Sequence, residues 1–141
     1  MSTAPANVDA MLDRDVFSRW LGISLVSVED GACTLSMTVR DDMLNGFGVA
    51  HGGIVFSLAD SAMAFACNTG ARVTVAVDNS ISYPAAVRAG DELVAEAREE
   101  SSTSRLGFYA VTVRRRDDEV VALFRGTVYR TMQEHSTIPG S

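Results

Sequence analysis

The feature that most constrains the fold is a long apolar segment containing a single acidic residue. The segment runs from about His51 to Cys67, and its hydrophobic residues point in nearly every direction around a helix. A helix that is apolar on most sides is buried in a protein interior. The acid is Asp60, and an unpaired carboxylate in such a helix is unfavourable. The segment therefore predicts a central, buried helix, and the unfavourable position of its one carboxylate suggests a functional role.

The rest of the chain predicts short strands joined by tight turns. Before the helix, ISLVSV and ACTLSMTV flank an Asp30-Gly31 turn, which is typical of a β-hairpin. After the helix, RVTVAVDNSISY alternates between apolar and polar residues, and ELVAEAREES, RLGFYAVTVRRR and VVALFRGTVYR predict three further strands. The apolar members of that alternation are Val73, Val75, Val77, Ile81 and Tyr83.

The two ends of the chain are expected to be less ordered than the middle. The stretch VDAMLDRDVFSRWLG predicts one short helix ending near Gly22, preceded by loose residues 1–7. The polar tail TMQEHSTIPGS is expected to fray. With no repeat or linker, we expect residues 1–141 to form a single domain with a core at about 15–131.

The order of elements predicts an α+β fold. Short hairpin connections favour an antiparallel sheet, and one long helix is available to cover it. A curved antiparallel sheet wrapped around that central helix would bury it. The edge strands and the other sheet face would then need a second subunit, so self-association is expected.

Charge and cysteine content exclude several function classes. The formal net charge is -6, which argues against nucleic acid as a partner, since phosphate backbones need a basic patch. Cys33 and Cys67 lack a CxxC spacing and are interpreted as reduced core residues of a cytoplasmic protein. No cluster suggests a metal. No signal peptide is expected, and the apolar run 54–67 is too short for a bilayer, so no membrane partner is expected.

The start of the predicted helix is the second chemical feature. Gly52 and Gly53 lie where the first backbone N–H groups have no partner within the helix, and glycine lets a ligand approach closely. The positive end of the helix dipole favours negative charge there, as an oxyanion hole requires. Asn45, in the preceding turn, could orient a carbonyl group or a water molecule. The glycines are equally compatible with an ordinary helix-entry turn.

Helix geometry separates these two features. Gly52 and Asp60 are eight residues apart, which is roughly 12 Å along the axis at ~1.5 Å per residue. Asp60 is therefore too far away to act on a carbonyl held at Gly52 of the same helix. If both serve one reaction, a neighbouring copy must supply Asp60, and a two-fold dimer does so.

A polar stripe accompanies Asp60 and leaves its role open. Ser57, Ser61 and Asn68 share its helical line, with small Ala64, and could line a cleft. There Asp60 can act as a nucleophile or as a general base, with contacts from Ser61, cleft water or partner-chain groups offsetting burial. Alternatively it only hydrogen-bonds a neighbour at an interface. His51 is likewise open, as a general base or as a cap for the helix start.

A specific motif then points to a known family. The pattern N-x-x-G-x-x-H-G-G followed by L-A-D closely resembles hotdog-fold acyl-CoA thioesterases, in particular the phenylacetate-degradation (phenylacetyl-CoA thioesterase) family. The matching residues are Asn45, Gly48, His51, Gly52, Gly53, Leu58, Ala59 and Asp60. The stretches AFACN and VALFRGTVYR are also similar, and the resemblance covers roughly residues 15–131.

The resemblance implies a role for each matching residue. Asp60 corresponds to the acid that acts as nucleophile or general base, and Gly52 to the backbone N–H that polarises the thioester carbonyl. Asn45 corresponds to a side chain that positions the carbonyl or water, and His51 to a residue that shapes the loop. The resemblance also implies homodimers that pair into homotetramers, with active sites at the dimer interface and CoA as part of the substrate, without a separate cofactor.

The substrate contacts are less well defined. Gly53, Phe47 and Ser61 are candidate substrate-binding residues. The width of the acyl pocket depends on packing around Phe47, Phe56, Met63 and Tyr83. The CoA phosphates need cations. The candidates are Arg72, Arg88 and Arg105, each of which can equally be an ordinary surface arginine. Pro84 directly follows Tyr83, where many relatives have an aromatic-x-x-Pro segment, and this departure leaves the acyl group open.

Three functions remain in competition. The first is hydrolysis of aryl-acyl-CoA or medium-chain acyl-CoA thioesters. The second is a non-catalytic acyl-CoA-binding or regulatory module, against which the acid at Asp60 argues. The third is an acyl-thioester dehydratase or hydratase, which needs a histidine facing an acid across the cleft, whereas His51 lies in the H-G-G turn.

Overall fold

A fifteen-residue helix packed against a curved sheet forms the centre of the molecule. The computed structural model describes residues 6–138. The helices are α1 (Ala6–Arg14), α2 (Val16–Leu21) and α3 (Gly52–Ala66), with short 3-10 turns at Asp41–Met43 and His135–Thr137. The strands are β1 (Ser24–Glu29), β2 (Ala32–Thr38), β3 (Arg72–Ser82), β4 (Glu92–Ser102), β5 (Leu106–Arg115) and β6 (Val120–Glu134).

The six strands found among residues 6–138 form one antiparallel sheet. Their order is β1-β2-β4-β5-β6-β3, so β1 and β3 are the two edges. Hairpin connections join β4 to β5 and β5 to β6, as the short turns predicted. The α+β hotdog fold, with its antiparallel sheet curved around a long helix, is confirmed.

The core lies between α3 and the sheet. Leu58, Ala62 and Phe65 of α3 are fully or almost fully buried, and the helix packs on β2, β4, β5 and β6. Phe56 meets Phe124 of β6 edge to face, with ring centroids 5.4 Å apart. A fully buried leucine or phenylalanine such as Leu58 or Phe65 contributes about 1.5–3 kcal/mol, so packing holds the helix in place. No helix among residues 6–138 is long and apolar enough to cross a membrane.

The N-terminal region differs from the single helix that the sequence predicted. Asp15 separates α1 from α2, because its side chain accepts a hydrogen bond from the Ser18 N–H group at 2.9 Å and caps the second helix. Helix α1 already begins at Ala6, and Val8 is fully buried. The expectation that residues 1–7 are loose is therefore wrong for residues 6–7; residues 1–5 lie outside the described range.

The C-terminal tail also departs from its prediction. Strand β6 continues to Glu134 and is followed by a 3-10 turn whose His135 is buried. The His135 ring lies 2.8 Å from Asn68 Oδ1, across 67 residues of sequence. Fraying was therefore the wrong expectation up to Ile138, because a long-range contact holds this part of the tail. Residues 139–141 are outside the described range.

Strand β3 does not follow the simple alternation read from its sequence. Its pairing with β6 shifts register between Arg72 and Thr74 and again between Ala76 and Asp78. As a result Thr74 is buried, whereas Val75 and Val77 are 46% and 60% exposed. These exposed valines lie on an open sheet edge.

Candidate functional site

Helix α3 begins with a histidine cap. The His51 Nδ1 atom accepts a hydrogen bond from the Gly53 N–H group at 2.9 Å, and the His51 carbonyl accepts one from the Ile54 N–H group. The predicted capping role of His51 is confirmed. Because Nδ1 is the acceptor, the proton of the neutral ring lies on Nε2. The Gly53 N–H group is thus already used, although the sequence suggested it for substrate.

The Gly52 N–H group is left as the free donor at this helix end. It has no hydrogen-bond partner among residues 6–138, and it lies at the positive end of the helix dipole. The Gly52 carbonyl accepts a bond from the Tyr83 hydroxyl at 2.8 Å. A Cβ at Gly52 would lie 3.2 Å from the Tyr83 ring, so glycine permits this close approach. The helix start therefore presents one fixed, unpaired donor.

A groove of about 310 Å³ opens beside this donor. Its walls are Gly52, Val55 and the segments 49–50 and 83–87. Pro84, the departure noted in the sequence, is one of the lining residues.

The loop before the helix is held by Asn45. Its Oδ1 atom accepts hydrogen bonds from the N–H groups of Phe47 at 2.9 Å and Val49 at 3.4 Å. Gly48, at φ +78°, adopts the left-handed conformation that closes the turn. The Asn45 Nδ2 group has no partner within the described part of the chain, so it can donate to a ligand. Phe47 projects from the loop and is 92% exposed.

Asp60 occupies a second groove farther along α3. This groove, of about 380 Å³, lies between α3 and β3, with Met63 and Ala64 on one side and 73–76 on the other. Burial raises the pKa of the Asp60 carboxyl group, a hydrogen bond from Asn79 Nδ2 at 3.4 Å lowers it, and the negative charge of Asp15 raises it. The net pKa is above the ordinary value for aspartate.

The remainder of the predicted polar stripe makes internal bonds. Ser57 donates to the Gly53 carbonyl at 2.7 Å. Ser61 is buried and lies 2.9 Å from the Ser18 hydroxyl, because it is turned about 100° around the helix from Asp60. The expectation that Ser61 stabilises Asp60 is therefore wrong. Asn68 borders the groove, but its amide is bonded to the backbone of Thr74.

The three candidate arginines lie at two ends of the sheet. Arg72 begins β3, and Arg105 lies in the β4–β5 turn at the same end, where its Nη1 donates to the Tyr129 hydroxyl at 3.0 Å. Arg88 lies in the β3–β4 turn at the opposite end, beyond the Gly52 groove. One chain therefore does not bring the three cations together.

The structure adds one polar residue that the sequence reasoning missed. Asn79 lies on β3 and contacts Asp60 through its amide. The sequence signal was the polar residue at position 79, which interrupts the predicted apolar face between Val77 and Ile81. Among residues 6–138 no group of three or more histidine, cysteine, aspartate or glutamate side chains is placed to hold a metal ion.

Comparisons with known proteins agree with this geometry. The family model described as the thioesterase superfamily matches residues 47–122. The chain is 38% identical over 124 residues to the acyl-coenzyme A thioesterase PaaI of Escherichia coli strain K12, covering 88% of this chain and 89% of that relative.

Two solved structures are also similar. The E. coli PaaI protein from the phenylacetic acid degradation operon superposes with a TM-score of 0.89 at 34% identity, covering 94% of this chain and 99% of that one. The Streptococcus mutans protein smu.793, solved with acetyl CoA bound, has a TM-score of 0.75 at 28% identity and covers 77% of this chain and 88% of its own.

Proposed function

The chain belongs to the thioesterase superfamily, and on that premise we propose that it hydrolyses aryl-acyl-CoA thioesters such as phenylacetyl-CoA, or medium-chain acyl-CoA thioesters, to the free acid and CoA. It is a thioester hydrolase with the hotdog fold. The observation that carries the proposal is the pairing of a free N–H donor at Gly52 with a half-buried carboxylate at Asp60, two turns apart on one helix. The PaaI relative supports an aryl acyl group.

The two groups occupy separate grooves, so one chain holds two incomplete sites. Gly52 and Asp60 are roughly 12 Å apart along α3 at ~1.5 Å per residue. Asp60 lines a groove beside β3, and Gly52 lines one beside the segment 83–87 that follows β3. A complete site needs Gly52 from one copy and Asp60 from another. We therefore include a homodimer in the proposed function as the smallest active unit.

The edge strand β3 provides the surface for this dimer. Thr74 and Asn79 of β3 contact Asn68 and Asp60, and Tyr83, directly after the strand, contacts Gly52. Strand β3 therefore runs antiparallel to α3. If two β3 strands pair antiparallel about a two-fold axis, the Asp60 groove of one copy faces the Gly52 groove of the other. The exposed Val75 and Val77 support burial of this edge.

Association of two such dimers into a homotetramer is part of the same proposal. The outer face of the sheet presents Phe108 and Leu123 on neighbouring strands, 37% and 52% exposed. Apolar side chains of this size on adjacent strands favour a second contact between copies.

The reaction begins with the thioester carbonyl oxygen accepting a hydrogen bond from the Gly52 N–H group, with Asn45 Nδ2 as a second donor. These donors stabilise the negative charge that develops on the oxygen. In one route the partner Asp60 carboxylate attacks the carbonyl carbon, CoA leaves as the thiolate, and water then hydrolyses the resulting anhydride. In the other, Asp60 takes a proton from water, which attacks directly. Both routes yield the acid and CoA.

The same dimer would gather the candidate phosphate ligands. Antiparallel pairing of β3 places Arg88 of one copy at the end of the dimer where Arg72 and Arg105 of the other lie. Guanidinium groups bind phosphates through charge-assisted hydrogen bonds. CoA is part of the substrate, and the proposed reaction needs no separate cofactor or metal. A cytoplasmic location is proposed with it, since both cysteines are free and buried.

The test is the Asp60→Asn variant in a thiol-release assay with phenylacetyl-CoA. We expect kcat to fall by a factor of about 10²–10⁴. Analytical sedimentation should show the same assembly as the wild type. Full activity in an Asp60→Asn oligomer would overturn the proposal. A single turnover in labelled water separates the two routes, because label appearing in Asp60 itself supports the nucleophile. A panel of aryl, short-chain and long-chain acyl-CoA substrates defines the acyl group.

A further inference from the structure

We propose that Asn79 is a positioning residue that orients the Asp60 carboxylate toward the substrate groove. The inference rests on the role of Asp60 in the proposed function and adds a residue to it. Asn79 lies on the edge strand β3, opposite Gly126 of β6, and its amide Nδ2 group donates to Asp60 Oδ1 across 3.4 Å. The contact ties the carboxylate on α3 to the strand that we propose as the dimer edge.

The amide oxygen of Asn79 indicates the role of this side chain. Its Oδ1 atom is buried and has no hydrogen-bond partner among residues 6–138. A buried acceptor without a partner is unfavourable and rare in native proteins. Turning the amide over would place Oδ1 against the Asp60 carboxylate, where two oxygens repel. The observed orientation therefore gives Asp60 a hydrogen-bond donor and leaves the amide oxygen without a donor of its own.

The neighbouring strand leaves room for this arrangement. A Cβ at Gly126 would clash with Met63 Sδ and would lie 2.7 Å from Asn79 Oδ1. Glycine at this position lets Met63 and the Asn79 amide lie side by side beneath α3. An apolar side chain at position 79 would fill the same space without an unpaired oxygen, so general packing does not account for the amide.

The charged and titratable groups around Asp60 make the amide donor important. The Asp15 carboxylate, between α1 and α2, opposes ionisation of Asp60, as does burial. At the C-terminal end of α3 the Cys67 thiol, with its pKa raised to about 12 by burial, is neutral. His135 borders the same groove, and burial lowers its pKa. Among these neighbours the Asn79 amide favours the ionised carboxylate and fixes its direction.

The experiment compares Asn79→Leu and Asn79→Asp with the wild type, and uses Ser80→Ala, on the outward face of β3, as the matched control. Profiles of kcat/KM against pH are measured with phenylacetyl-CoA, alongside melting temperature and assembly. Loss of the donor raises the pKa of Asp60, so we expect the acid limb of Asn79→Leu to move up by on the order of 0.5–1 pH unit. We also expect kcat at the plateau to fall about 10-fold, with KM within about twofold, since the carboxylate loses its orientation.

The Asn79→Asp variant keeps the shape of the side chain and therefore tests the inference even if Asn79→Leu does not fold. A second carboxylate beside Asp60 moves the acid limb up by more than the leucine does, because two like charges cannot both ionise easily. Ser80→Ala should keep the wild-type profile. A wild-type acid limb and plateau in Asn79→Asp would overturn the inference. If Asp60→Asn were inactive in the same assay, the proposed function would stand without it.

Discussion

At its first turn helix α3 offers a substrate a backbone N–H group, and two turns later it offers a carboxylate. The Gly52 donor needs no side chain of its own; it depends on where the helix begins and on the His51 cap. The Asp60 carboxylate depends on ionisation against burial and on the Asn79 contact. One end is thus built by backbone geometry and the other by electrostatics, so the two ends should respond to different perturbations.

Among the changes at the start of α3, the largest expected effect comes from removing the backbone donor. Gly52 is the first residue of α3, where proline is well tolerated, and His51 before it has the extended conformation that precedes proline. Gly52→Pro deletes the N–H group, whereas Gly52→Ala adds a Cβ but keeps it. We expect kcat of the proline variant to be about 10²–10³ lower than that of the alanine variant. Equal kcat values in steady-state assays would show that this N–H group does not hold the oxyanion.

A smaller effect on kcat is expected at Asn45, because its Oδ1 atom holds the loop whereas its Nδ2 group is the proposed donor to the substrate. Asn45→Asp keeps an oxygen for the Phe47 and Val49 N–H groups but loses the Nδ2 donor. Asn45→Ala loses both. We expect kcat to fall about 10-fold in the aspartate variant and further in the alanine variant, whose loop loosens. Hydrogen exchange at Phe47 and Val49 checks the loop: it should rise in Asn45→Ala only, and a rise in both variants would contradict the division of roles.

The pH dependence of thermal stability should report the ionisation of Asp60. The pKa of Asp60 is raised in the folded state, so the ionised group destabilises the fold at pH values above that raised pKa. The penalty disappears as pH falls below the unfolded pKa, where Asp60 is protonated in both states. Asp60→Asn should therefore melt at a higher temperature than the wild type at pH 7, with the gap closing toward pH 3. Calorimetry that finds a constant gap, or none, would contradict this.

The smallest effect is expected at Tyr83. Its hydroxyl donates to the Gly52 carbonyl, not to the Gly52 N–H group, so Tyr83→Phe leaves the donor in place. We expect a loss of about 1 kcal/mol in the free energy of unfolding. We also expect kcat to stay within about threefold, since the ring still packs on the helix start. A fall in kcat as large as that of Gly52→Pro would contradict this and would show that the Tyr83 hydroxyl acts directly on the substrate.

The same contrast explains which parts were predictable from sequence. Helix α3 and its acid follow from a strong local pattern, and the loop from Asn45 to Gly52 follows from a gap-free motif. The Asp60–Asn79 contact joins residues 19 apart in sequence, and no local pattern says which residue of β3 lies opposite Asp60. Likewise Ser61 faces Ser18 because of how α2 packs, and His135 is held by Asn68 far away in sequence. Contacts set by tertiary packing were the ones missed.

The central claim is that each site takes Gly52 from one copy and Asp60 from another. It is tested by mixing the Asp60→Asn and Gly52→Pro variants, unfolding them together and refolding. In a mixed dimer one site receives both intact groups and the other receives neither. The account predicts that an equimolar mixture of the two inactive variants regains about a quarter of wild-type activity, since half of the dimers are mixed and each has one good site. Activity no higher than the average of the separately refolded variants would contradict it.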